Sequence, residues 1–225
     1  SRWKSHKHRK AVWCFERIDA IIPEWKAKGE LSISVLKTFV DQIYVCDEDD
    51  ARLYGDWMPQ WASPNFYNMR HEPITNKKIL FSGQAGSPQY AIRNNLLINI
   101  FCDSIVSQIF EATNSTRILD WDKYCSNFLS YFAILNPVGI LGGFNTRTYE
   151  TMYSGRLLLQ QTAGDYPNHK KLVEGFENII LFQDFNDLRL KISNINYKFN
   201  EKQTTQLYNE NNIYARFKSI GVEIQ

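Results

Sequence analysis

The stretch Asn145-Thr-Arg-Thr-Tyr-Glu150-Thr-Met-Tyr-Ser-Gly155-Arg-Leu-Leu-Leu-Gln160 decides the fold. It predicts a loop, an amphipathic helix over 146–154, a stop at Gly155 and a buried strand over Arg156–Gln160. The polar residues Asn145, Arg147 and Glu150 crowd the start of the helix. In an open α/β sheet such a helix starts just past the carboxyl end of a strand, where anions and ribose hydroxyls bind.

The same alternation extends outward in both directions. Upstream, Ala133–Asn136 is an apolar strand, and Pro137–Phe144 is a loop containing Gly142 and Gly143. Lys78–Ser82 is another strand, followed by the loop Gly83-Gln-Ala-Gly86. Ser87 then offers an N-cap and Pro88 a first helical position, for a helix expected to run to about Thr113. A strand is expected near Arg117–Leu119 and a helix from Trp121 to about Tyr131. Downstream, helices are expected over His169–Phe176 and Phe185–Ile195, flanking a strand at Ile179–Phe182, and one helix over Tyr208 to about Ile220.

The front of the chain is less regular. Ala11–Phe15 and Gln42–Cys46 read as strands, and residues 31–40 as a helix. Asp47 is placed to cap a helix that opens with further acids. Trp57-Met-Pro-Gln-Trp-Ala-Ser-Pro64 reads as an extended linker. Strands alternating with helices give an α/β fold with a parallel, Rossmann-like sheet covered on both faces. The expected division is a short front part over 1–65 and a larger nucleotide-binding unit over 66–225 with a C-terminal helix.

Composition excludes several classes. A net charge of +2 gives no bias towards nucleic acid or a membrane surface, so neither is expected as a partner. Residues 1–10 are basic, but a charge run of this kind is most simply a solvated tail. No apolar run is long enough to span a bilayer, and no signal-peptide pattern is present. Cys14, Cys46, Cys102 and Cys125 are scattered without zinc-ligand spacing, which points to a reducing compartment and a cytoplasmic protein. The chain starts at Ser1, and two expectations stay open: a compact variant of its fold, or a piece of a longer polypeptide.

Chemistry concentrates in two loop–helix junctions. At the second, Gly142 and Gly143 allow close approach of a ligand. The helix start and Arg147 suit a diphosphate, and Glu150 is placed to accept ribose hydroxyls. At the first, Phe81-Ser-Gly-Gln-Ala-Gly-Ser-Pro-Gln-Tyr-Ala-Ile-Arg93 forms a glycine-containing turn, though without a full G-x-G-x-x-G. Outside these, Asp165 and Asp184 read as turn and cap residues, and His169 has no assigned role.

These motifs together resemble the donor-binding half of GT-B glycosyltransferases, most closely the spore-maturation-type group, over residues 11–200. The resemblance implies a glycosyltransferase that moves a sugar from a nucleoside-diphosphate sugar, UDP being the favoured base, to an acceptor hydroxyl on a glycan. It assigns donor binding to Gly83, Gln84, Arg93, Gly143, Asn145, Arg147 and Glu150. Gly142 stands where a related retaining group carries a further acid, so stereochemistry stays open. Glu16 and Asp19 are the early acids that could activate the acceptor. No metal and no cofactor beyond the donor are expected. The Asp47-Glu-Asp49 run has the form of the D-x-D metal motif of GT-A enzymes, but acids opening a helix are ordinary. Two alternatives stay open: a non-catalytic nucleotide- or glycan-binding module of a larger enzyme, and a Rossmann-type transferase acting on nucleic acid.

Overall fold

The computed structural model describes residues 10–14, 18, 23–113, 120–139, 144–162, 164, 166–195 and 198–222. The front part comprises β1 (Ala11–Cys14), α1 (Pro23–Leu36), β2 (Gln42–Val45), α2 (Glu48–Ala51) and β3 (Asp56–Trp57). Its strands form a parallel sheet in the order β1-β2-β3. An extended segment leads to α3 (Asn65–Asn68), and a second unit follows. This contains β4 (Asn76–Ser82), α4 (Ala91–Cys102), β5 (Phe110–Thr113), α5 (Trp121–Leu129), β6 (Tyr131–Asn136), α6 (Thr146–Ser154) and β7 (Leu157–Gln161). It ends with α7 (Pro167–Val173), β8 (Ile179–Phe182), α8 (Phe185–Ile192), α9 (Glu201–Asn211) and α10 (Ile213–Ser219).

The five strands of the second unit are all parallel, in the order β5-β4-β6-β7-β8. The molecule is therefore an α/β protein with a Rossmann-like parallel sheet. Strand side chains alternate between two apolar layers, as a sheet buried on both faces requires. Leu80, Ile134 and Leu158 point to one layer, with Phe128, Tyr149, Met152 and Leu207. Ile79, Phe81, Ala133, Leu135, Leu157 and Leu159 point to the other, with Leu96, Ile100 and Leu188. Successive strands run from β4 out to β5, then cross to β6 on the far side of β4. The order reverses there, beyond Ser82 and Asn136, which is where open α/β sheets form their ligand crevice.

Several expected elements change. The helix expected to reach Thr113 stops at Cys102, because Asp103 turns to extended backbone and its carboxylate accepts the N–H groups of Ile105 and Val106, at 2.9 Å each. A 3-10 turn over Val106–Ile109 follows, and Phe110–Thr113 is a strand. The strand expected at Arg117–Leu119 lies outside the described residues. The single C-terminal helix is two, divided at Asn212, whose side chain caps the second one at Ala215. Ser87 makes no capping hydrogen bond; Pro88 starts a 3-10 turn ahead of α4 instead. Two short elements, β3 and α3, flank the expected linker.

Two polar contacts fasten the layers. Arg156 is 2% exposed, and its guanidinium donates to the carbonyls of Leu129 (2.8 and 2.6 Å), Glu72 (2.6 Å) and Arg70 (3.2 Å). It ties the end of α5 and the approach to β4 onto β7. Glu48 of α2 reaches the start of α7, accepting from His169 N (2.7 Å), His169 Nδ1 (2.7 Å), Asn168 N (3.2 Å) and Asn168 Nδ2 (3.1 Å). A carboxylate at these free N–H groups caps the helix from a segment 121 residues away.

Replacing Arg156 by Met should strand several buried carbonyls and cost about 3 kcal/mol, read as a lowered denaturant midpoint at unchanged slope. Burial pushes the Glu48 carboxyl up, but the bonds and charge from His169 outweigh this and hold it below its ordinary value of 4.5. A depressed carboxylate adds stability above its unfolded pKa that is lost as pH falls through the folded one. The stability gap between the wild type and Glu48→Gln should therefore be full above about pH 4.5 and shrink on acidification, as urea titrations across that range would measure.

Candidate functional site at the crevice between β4 and β6

A polar network fixes the crevice. Asn136, 3% exposed at the end of β6, turns its Nδ2 to Asn145 Oδ1 (3.1 Å), Thr148 Oγ1 (3.0 Å) and Gln160 Oε1 (2.8 Å). Thr148 also donates to Gln160 at 2.8 Å. Asn145 Oδ1 accepts from Arg147 N at 3.0 Å and caps α6. On the other side, Gly86 N donates to Asn94 at 2.8 Å, and Asn94 Nδ2 donates to Ser87 O at 2.9 Å. These bonds fold the β4–α4 loop onto α4.

Two arginines cross the opening in opposite directions. Arg147, on α6, brings Nη1 to within 3.4 Å of where a Cβ on Gly83 would lie. Arg93, on α4, brings Nη2 to within 2.5 Å of the corresponding point on Gly139. A side chain at Gly139 would displace the end of Arg93, whereas one at Gly83 would press first on the Phe81 ring. Arg93 Nη1 donates to Gln84 O at 2.8 Å, and its guanidinium lies 4.4 Å from the centroid of the Tyr90 ring. Desolvation lowers the Arg93 pKa; the Tyr90 charge opposes this, and repulsion from Arg147 adds to it. The Nε atoms of both arginines are buried and make no hydrogen bond among the described residues. Two guanidiniums of this chemistry suit a phosphate or diphosphate, with the charge of Arg147 partly offset by Glu150.

Beside it sits Glu150, 6% exposed. Its Oε2 accepts from the Tyr124 hydroxyl at 3.0 Å and lies 3.6 Å from Arg147 Nε. Burial pushes this carboxyl up, while Arg147 and the Tyr124 hydroxyl oppose the shift.

Of the residues singled out in the sequence, Gly83, Gln84, Arg93, Asn145, Arg147 and Glu150 gather at this crevice. Gln84 contributes its carbonyl to Arg93 and its side chain to Tyr90 (3.2 Å). Asn145 directs both ends of its amide into the protein, towards Asn136 and the α6 cap. Gly142, Gly143, Asp165, Glu16 and Asp19 lie outside the described residues. The acidic run 47–50 is engaged in structure: Asp47 caps Asp49 N (3.0 Å), Asp49 accepts from Tyr166 (3.1 Å) and Asp50 from Ile18 N (2.6 Å). Among the described residues no cluster of three metal-ligating side chains occurs. Asp184 caps α8 at Asp187 N, 2.9 Å.

Tyr124, Gly139 and Asn136 were not foreseen. Asn136 and Ser82 share a signal, a polar residue closing an apolar strand, whereas Tyr124 has none, being brought in from another helix. A separate cavity of about 810 Å³, lined by α7 and β8, shares no residue with the crevice. Among the described residues no helix is long and apolar enough to cross a membrane. No protein-family model matches this chain, and no curated protein matches it.

Gly139→Ala should push the Arg93 guanidinium out of its seat while leaving the core intact. Its measurable consequence is loss of inorganic pyrophosphate affinity by about tenfold or more, without a comparable drop in melting temperature.

Proposed function

We propose that this chain is a nucleotide-sugar-dependent glycosyltransferase of the GT-B kind, with the crevice between β4 and β6 as its donor site. The observation that carries the reading is the crossed pair Arg93 and Arg147, each with an unbonded Nε, at the reversal of a parallel sheet. Ligands of open α/β sheets bind at that reversal, beyond the carboxyl ends of the strands. The two guanidiniums and the α6 N-terminus would take the diphosphate, and Glu150 would take the ribose hydroxyls.

In the reaction, an acceptor hydroxyl on a glycan attacks the anomeric carbon and the bond to the nucleoside diphosphate breaks. Charge then builds on the leaving diphosphate, where Arg93 and Arg147 stabilise it without reorganising. A carboxylate of the front part, Glu16 or Asp19, would accept the acceptor's proton. A UDP-sugar is the favoured donor, and the chain acts in the cytoplasm.

Calorimetric titration with UDP, GDP, ADP and TDP tests the reading. One of the four should bind selectively, and Glu150→Ala or Arg147→Ala should weaken it by about 10- to 100-fold, as loss of a hydrogen bond to a charged group does. Unchanged binding in both variants would remove the assignment. A front sheet of three strands among the described residues favours a second reading, a nucleotide-binding module without turnover. That reading gains if the diphosphate binds and its sugar conjugate is never consumed with any acceptor.

A further inference from the structure

Tyr124 stands on α5 with its ring against Phe66, Trp121 and Phe128. Its hydroxyl does two things at once. It donates to Glu150 Oε2 at 3.0 Å and accepts from Arg147 Nη2 at 3.3 Å. Arg147 Nε and the same Oε2 lie 3.6 Å apart, too far for a direct hydrogen bond. At that separation the two charges form an ion pair without a direct hydrogen bond. The phenol hydroxyl bridges the two side chains through Arg147 Nη2 and Glu150 Oε2, and Glu150 Oε1 takes no hydrogen bond among the described residues.

We propose that Tyr124 is a positioning residue for the nucleotide: its hydroxyl bridges Glu150 and Arg147 and fixes both side chains, so that Oε1 accepts ribose hydroxyls while the guanidinium holds the diphosphate. This rests on the crevice being a nucleotide site. The groups that face Glu150 are Arg147 on α6, Tyr124 on α5 and Cys125 beside it; Arg93 on α4 faces Arg147 in turn. The Tyr124 hydroxyl lowers the Glu150 pKa against burial. Its removal raises that pKa further, so binding that needs the carboxylate is lost at a higher pH as the solution is acidified.

The test is a titration of the wild type, Tyr124→Phe, Glu150→Gln and the double variant with UDP, GDP, ADP and TDP across the acid range, with a thermal melt of each. Phenylalanine keeps the ring packing. Tyr124→Phe should bind about tenfold more weakly, with its acid midpoint shifted upward. In the Glu150→Gln background the same change should cost nothing, since the two residues act as one unit. Tyr124→His, which restores a polar group, should recover part of the affinity and keeps the test open if the phenylalanine variant melts early. Wild-type binding with an unmoved Tyr124→Phe, or with strictly additive losses, overturns the positioning role and leaves the crevice reading standing. A wild type that binds none of the four diphosphates removes the crevice reading, and this inference falls with it.

Discussion

The crevice depends on the amide of Asn136. A parallel strand ends with its last polar groups pointing past the sheet, and here that end is fixed by one side chain facing three acceptors. Gln160 ties it to the neighbouring strand β7, Thr148 to the body of α6, and Asn145 to the cap of α6. The direction of the helix and the level of its first turn therefore follow from the end of β6. A buried network of this kind holds only when every member is satisfied. Gln161 extends it, accepting from Val138 N at 3.1 Å and donating to Gln183 O at 3.1 Å. Polar residues closing otherwise apolar strands thus set the geometry of the loops above them.

On that frame the two arginines are set against their own electrostatics. Each guanidinium is partly desolvated, and each repels the other. What holds them is local: Tyr90 and the Gln84 carbonyl on one side, Tyr124 and Glu150 on the other. The glycine at 139 leaves room for the Arg93 guanidinium, which a side chain there would displace. A bound anion between the two arginines would offset their mutual repulsion.

Much of this was legible in the chain. The helix at 146–154 and the strand at 179–182 follow from apolar spacing and a glycine stop, both local signals. Asp47 and Asp184 cap as their positions indicate. The failures came where local pattern and tertiary context disagree. Ile92, Leu96, Ile100, Ile105 and Ile109 continue a helix-like spacing, yet only Leu96 and Ile100 of these are buried, and the aspartate at 103 ends the helix before the last two. At the site, Arg147 and Glu150 announced themselves through their place at a helix start. Arg156 looked like a strand residue, because nothing local says that its partners are carbonyls 27 and 84 residues away. Glu48 and Tyr124 were opaque for the same reason: their partners are distant in sequence.

The front sheet is joined to the crevice by the segment that reads as a linker. Trp13 of β1 donates to the carbonyl of Met58 at 2.9 Å and stacks on Trp61, with ring centroids 4.1 Å apart. Between them, Gln60 accepts from the hydroxyl of Thr146, the first residue of α6, at 2.7 Å. Trp61 in turn touches Phe217 of α10. A segment without secondary structure must find partners for its buried polar groups, and these partners lie at the very helix start that lines the crevice. The attachment of the front part and the placement of α6 are thus one set of contacts. Any displacement of β1 and β2 relative to the larger sheet would have to break the Gln60–Thr146 bond or carry the start of α6 with it, which couples the front part to the start of that helix.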